Sequence, residues 1–255
     1  MNILALKLIL APLIIGSASL AGRKWGAAVS GWLVGLPLTS GPVAFFIALS
    51  HDRAFAFNTI RGTLSGGFSL VAFILTYTWV AKRFNWAVSI LASILVFASM
   101  TIILQSITFP FIPLFFAVLV VIFIGLWLMP KYDVVQSDVE PGKWDIPARI
   151  LIGTSFILLI TGIAPYIGAQ LTGLLTTIPL YISILTIFAH RHQGHKSAAN
   201  VLHGLTLGLF SFAGFYLVLG LLIENSSLAI SFGAATLATL LVQGTSLVLL
   251  RQNHK

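Results

Sequence analysis

Residues 109–129, FPFIPLFFAVLVVIFIGLWLM, run for 21 positions without one charged side chain. About 20 apolar residues in a helix cross the ~30 Å hydrocarbon core of a bilayer. A chain built mainly of such runs has no soluble fold in which to bury them. The whole sequence is of this kind: 58% hydrophobic and 8% charged, where soluble domains are about a quarter charged. None of it shows the alternating pattern of an outer-membrane barrel. The expected class is therefore an all-α polytopic membrane protein. The length ruler places about nine spans, at 3–21, 26–50, 54–80, 85–106, 109–129, 148–164, 168–190, 197–223 and 228–250. The apolar run before Gly16-Ser17-Ala18-Ser19 lacks the basic start of a signal peptide and reads as an uncleaved first helix.

The chain has no cysteine, which excludes disulfides, thiolate metal sites and cysteine nucleophiles. Its formal net charge of +8 does not imply nucleic acid, because the basic residues sit in short loops between apolar runs. Eleven of them (Arg23, Lys24, Lys82, Arg83, Lys131, Lys143, Arg149, Arg191, Lys196, Arg251, Lys255) fall on one side of the expected topology. Lys7 and Arg53 fall on the other. Positive loops face the cytoplasm, so the expectation is a bacterial inner-membrane protein with its N-terminus outside and its C-terminus inside.

When Gly26 is laid over Gly168, the stretch 26–73 runs along 168–215 without a gap, with 14 of 48 positions identical. The identities include Gly31/Gly173, Pro37/Pro179, Asn58/Asn200, Gly62/Gly204, Gly66/Gly208 and Ser69/Ser211. An odd number of spans separates the equivalent helices, so the two units are expected to lie upside down to each other. The expected division is a first four-helix repeat at 1–108, a connector helix at 109–129, a cytoplasmic linker at 130–147 and a second, inverted four-helix repeat at 148–255. Inverted repeats with interrupted helices are a mark of secondary transporters.

Pro37 and Pro179 each stand eleven residues into a span, about 16 Å deep at 1.5 Å per residue. A proline there removes one helical hydrogen bond. With Thr39, Ser40, Gly41 and Pro42 following, the first interruption is expected to unwind a turn and line a binding or gating site. A simple kink is the other reading of Pro179.

The stretches NTIRGTLSGGFS (58–69) and NVLHGLTLGLFS (200–211) place Asn58, Arg61, Gly62, Ser65 and Ser69, then Asn200, His203, Gly204 and Ser211, within the same wedge of about 100° on two helices. The glycine pairs permit close helix contact, and Asn and Ser can equally serve as interhelical glue. A cation inside a membrane helix costs ~2.5 kcal/mol or more at the centre and marks function by default, although Arg61 could also snorkel toward the interface. His203 is the intramembrane group that titrates near neutral pH. No Asp or Glu falls within a span, which argues against a carboxylate proton relay. HRHQGH (190–195) reads as a basic flanking loop rather than a metal site, and no nucleophile–base–acid constellation stands out. The chain is therefore expected not to be an enzyme, and no cofactor is expected.

GLLTTIPLYISILTIFAHRHQG and the Asn200 helix after it resemble the GlpM-like small bacterial membrane proteins, whose kinked helix is likewise followed by a His-containing turn. The doubled, inverted plan is similar to that of drug/metabolite transporters, without the membrane glutamate of small multidrug exporters. The expected function is secondary transport of a small anionic or polar solute, held near mid-membrane by Arg61, Asn58, Thr39, Ser40, Ser65, Asn200 and His203. The competing reading is a non-transporting subunit that binds lipid, a membrane partner or a second copy; a flippase or an enzyme acting on a lipid-linked anion is a third.

Overall fold

The computed structural model describes residues 3–25, 37–130, 132 and 145–252; of 18, 21–25, 145, 181 and 245–252 it describes the backbone alone. Among the described residues there are ten helices and no strand: α1 (Ile3–Trp25), α2 (Ser40–Ser50), α3 (Arg53–Val80), α4 (Trp86–Gln105), α5 (Phe111–Leu128), α6 (Asp145–Ile167), α7 (Ala169–Leu175), α8 (Leu180–Gln193), α9 (His195–Leu222) and α10 (Leu228–Gln252). Five are long and apolar enough to cross a bilayer unaided: α3, α4, α5, α9 and the 146–167 portion of α6. Ile3–Ser17, Ser40–Ser50 and Leu228–Gly244 are shorter apolar helices. The chain is a multi-pass helical membrane protein. Leu91, Ile94 and Ile102 on α4 and Phe116, Val120 and Phe123 on α5 are exposed on its flank, where hydrocarbon would cover them.

Two expected spans come out differently. Residues 168–190 are not one helix but α7 and α8, parted at Thr176–Pro179, because proline cannot continue the hydrogen-bond ladder. The span 26–50 is described only from Pro37, where the chain is irregular until α2 begins; its first part lies outside the described residues, as does most of the 130–147 linker.

Helix starts follow from side chains that accept the first free N–H groups. Asp52 Oδ1 accepts from Phe55 N at 2.7 Å, Asn85 Oδ1 from Val88 N at 3.1 Å and Ser227 Oγ from Ile230 N at 3.3 Å. Between α8 and α9 the chain turns on Gly194 at φ 86°, a left-handed conformation that favours glycine.

Helix directions can be read from the contacts. Phe57 meets Phe111, Gly67 meets Val118, and Trp79 Nε1 donates to the Leu128 carbonyl, so α3 and α5 run parallel. Phe111 faces Gly220, Phe123 meets Phe210, and Thr206 meets the Met129 sulfur, so α9 runs antiparallel to α5. The long helices α3 and α9, which also touch each other, are therefore antiparallel. At one face Arg53 Nη1 donates to the Glu224 carbonyl and joins the start of α3 to the end of α9.

Helix bounds recur with the offset that lays Gly26 over Gly168. It carries both ends of α1 onto the ends of α6, both ends of α3 onto those of α9, and the start of α4 onto the start of α10. Behind the caps Asn85 and Ser227, the fully buried Ser89 and Ser231 donate back to the Asn85 and Ser227 carbonyls.

The tightest joint lies between α3 and α7. A Cβ on Gly62 would collide with the Gln170 backbone, one on Gly173 with the Thr59 carbonyl and Thr63 nitrogen, and one on Gly66 with the Thr177 side chain. Gln170 Nε2 reaches the end of α4, donating to the carbonyls of Leu104 (2.8 Å), Ile107 (2.9 Å) and Gln105 (3.2 Å). Carbonyls at a helix end lack helical donors; of these three, Leu104 also accepts from Ile107 N at 3.2 Å. Gly62→Ala should therefore destabilise the fold by about 2 kcal/mol or more, since backbone cannot yield as a side chain does. Gly204→Ala, whose Cβ would meet nothing within 4 Å, should be neutral or gain up to about 1 kcal/mol from helix propensity. Thermal unfolding of both variants in nanodiscs checks the pair; equal losses would show that the glycine contact is not what holds α7.

Candidate functional site

Several short-range bonds bridge the second interruption. α7 closes in i→i−3 bonds from Thr177 N to Leu174 O (3.2 Å) and Ile178 N to Leu175 O (3.1 Å). Pro179, at φ −82° and ψ 57°, then forms an inverse γ-turn closed by Leu180 N and the Ile178 carbonyl at 2.9 Å. Ser183 N to Pro179 O (2.9 Å) opens α8. The two threonine hydroxyls at the break turn back onto carbonyls, Thr176 to Gly173 at 2.6 Å and Thr177 to Leu174 at 2.7 Å. Thr176 also meets Thr63 of α3 at 3.1 Å.

At the start of α2, where the first interruption is expected, the chain is described only from Pro37. Gly41 N bonds the Pro37 carbonyl at 2.8 Å and Val43 N the Thr39 carbonyl at 3.2 Å. Pro42 lies between them and has no N–H, so the Leu38 carbonyl loses its helical donor. Thr39 stands at the N-cap position, but its side chain caps nothing. Among the described residues, no backbone carbonyl accepts from the N–H of Leu38, Thr39 or Ser40.

The interruption at Thr176–Pro179 neighbours α2. Leu175, Ile178 and Leu180 pack on the apolar cluster that buries Val43, Phe46 and Ile47 of α2. α2 leads to the Arg53 face and α8 to the His195 face, so both helices start inside the molecule and run apart. Their N-terminal ends, the positive ends of the helix dipoles, both point inward.

The polar stripe is divided by the structure. Its Gly62–Gly66 edge packs on α7, and Ser69 accepts from Thr101 of α4 at 3.2 Å. At 100° per residue Arg61 lies about 160° round α3 from Thr63. It shares a side with Phe57, which meets Phe111, and Phe68, which meets Phe109. Arg61 is half-buried and, among the described residues, forms no ion pair or hydrogen bond; the same holds for the half-buried Asn58. Ser65 is buried beside them. On α9, Asn200 is half-buried and bonded, while His203 is exposed. The expected single pocket therefore resolves into separate groups: Thr39, Ser40, Pro37, Pro42 and Pro179 at the interruptions, and Arg61 and Asn58 on another side of α3.

Contacts that sequence reasoning did not foresee lie elsewhere. Tyr77 on α3, fully buried, meets His190 Nδ1 at 3.1 Å. The Tyr216 hydroxyl on α9 is buried beside Ser40 without a hydrogen bond of acceptable geometry. In HRHQGH, His192 packs on Phe188 and His195 on Tyr132, and no group of three metal-ligating side chains forms among the described residues. No family model, curated protein or solved structure matches the chain.

Tyr77→Phe removes a buried hydrogen bond and leaves the histidine nitrogen without it, so stability should fall by about 1 kcal/mol. Arg61→Gln should leave the unfolding midpoint unchanged, since no group among the described residues bonds the guanidinium. Denaturation of the two variants side by side checks this; a loss of stability in Arg61→Gln would make Arg61 a structural anchor.

Proposed function

We propose that the chain is a secondary transporter of a small anionic or polar solute, built as two inverted four-helix repeats joined by α5, with nine passes in the bilayer. The observation that carries the reading is the interruption at Thr176–Pro179 next to the inward start of α2, beside the antiparallel helices α3 and α9. Interrupted backbone at membrane depth needs protein or a wet cavity around it, and inward-pointing half-helix N-termini suit an anionic group. The recurrence of helix bounds and caps at one constant offset supports the doubled plan. The contacts of α5 with both long helices fit a connector.

In this reading the Arg53 face is outside and the His195 face cytoplasmic. Arg61 lies two turns below the outer face, at about 12 Å. There it sets a positive potential over the entry half rather than gripping the solute at the interruptions, while Thr39 and Ser40 line the site itself.

Reconstituted in proteoliposomes, the chain should carry saturable flux of a small anion. Ser40→Ala should cut that flux at least tenfold, and Arg61→Gln should raise KM more than it lowers the maximal rate. Absence of saturable flux across a panel of carboxylates and inorganic anions would overturn the transport reading and favour a lipid- or partner-binding subunit.

A further inference from the structure

The start of α2 differs from the start of α8 in one respect that points to a ligand. Tyr216 on α9 is 0% exposed, and its hydroxyl is a buried polar atom without a hydrogen-bond partner. A buried, unsatisfied hydroxyl is costly, so such groups are rare in the absence of a role. The ring is fixed by Phe212 and Phe215 at centroid distances of 4.8 and 5.1 Å, and Phe215 in turn lies against Gly41. The hydroxyl is thereby held at Ser40, the first residue of the 11-residue α2. In the repeat alignment Ile182 of α8 takes the place of Ser40, and Ile74 of α3 that of Tyr216; both are buried and apolar. One interruption therefore carries a polar pair where the other carries packing.

The groups gathered here are mostly donors. Thr39 has a hydroxyl that caps nothing, and Ser40 is itself 5% exposed. With the positive end of α2 behind them, these groups suit an acceptor that carries negative charge and little bulk.

We propose that Tyr216, Ser40 and Thr39 at the start of α2 form an anion site that takes the carboxylate or other compact oxyanion of the solute. This rests on the transport reading for the ligand's route but not for its binding, so the test measures binding alone. The full chain in nanodiscs is titrated with radiolabelled acetate and with radiolabelled inorganic phosphate in a scintillation proximity assay. At least one of the two should bind saturably. Tyr216→Phe and Ser40→Ala should each weaken it about tenfold or more, the scale of one hydrogen bond to a charged group. Tyr77→Phe, which removes a buried hydroxyl elsewhere, should leave the affinity as it is. Saturable binding without flux in liposomes would uphold the site and sink transport. No saturable binding of either probe, or binding unchanged in Tyr216→Phe, would overturn the site.

Discussion

A peptide group in hydrocarbon has no water to bond, so every interruption of a membrane helix must be covered by protein or line a wet space. That constraint organises this molecule. The interruption at Thr176–Pro179 is covered by bringing α7 against α3 until backbone touches backbone, which Gly62, Gly66 and Gly173 alone permit. Gln170 then ties the same short helix to the end of α4. A seven-residue helix would have no stability by itself; it is stable here as an insert between two long ones.

The second consequence concerns the ends of α2 and α8. Because each half-helix starts within the molecule, two positive dipole ends are set inside an apolar body that has no acidic side chain within its spans. A compact anion is the ligand that such a field favours. The two ends are chemically unlike, however. One is bridged by its own turns and threonines, while beside the other stand Thr39, whose side chain caps nothing, and the buried Tyr216 hydroxyl. Helix bounds recur at one offset along the chain, whereas the Tyr216–Ser40 pair has only isoleucines at the positions matched to it. In the transport reading, the recurring parts form the frame and the unlike parts carry the selectivity.

What the sequence disclosed was whatever acts locally. Proline removes its own N–H wherever it stands, so Pro179 marked the place of the break in 168–190, as kink or interruption, without knowledge of the fold. Apolar runs of bilayer length gave the class, and the glycine pair at 62 and 66 announced a close helix contact. What it did not disclose depends on distant partners. The wedge from Asn58 to Ser69 looked like one functional face, but α7 takes its Gly62–Gly66 edge and α4 takes Ser69, which leaves Arg61 on the side near the start of α5. Tyr216 reads as one more aromatic in an apolar helix until the fold sets it beside Ser40, which lies in the other half of the chain. His190 belonged to a basic loop in the sequence and is a partner of Tyr77 in the fold.

The central claim is that equivalent elements lie upside down to each other, and the lack of cysteine allows it to be tested without preparatory mutations. Asn85 and Ser227 cap equivalent helices. Single cysteines at these two positions can be labelled with a membrane-impermeant maleimide in intact and in permeabilised cells. The inverted plan predicts that Ser227→Cys reacts in intact cells and Asn85→Cys only after permeabilisation. Labelling of both from the same side would contradict it.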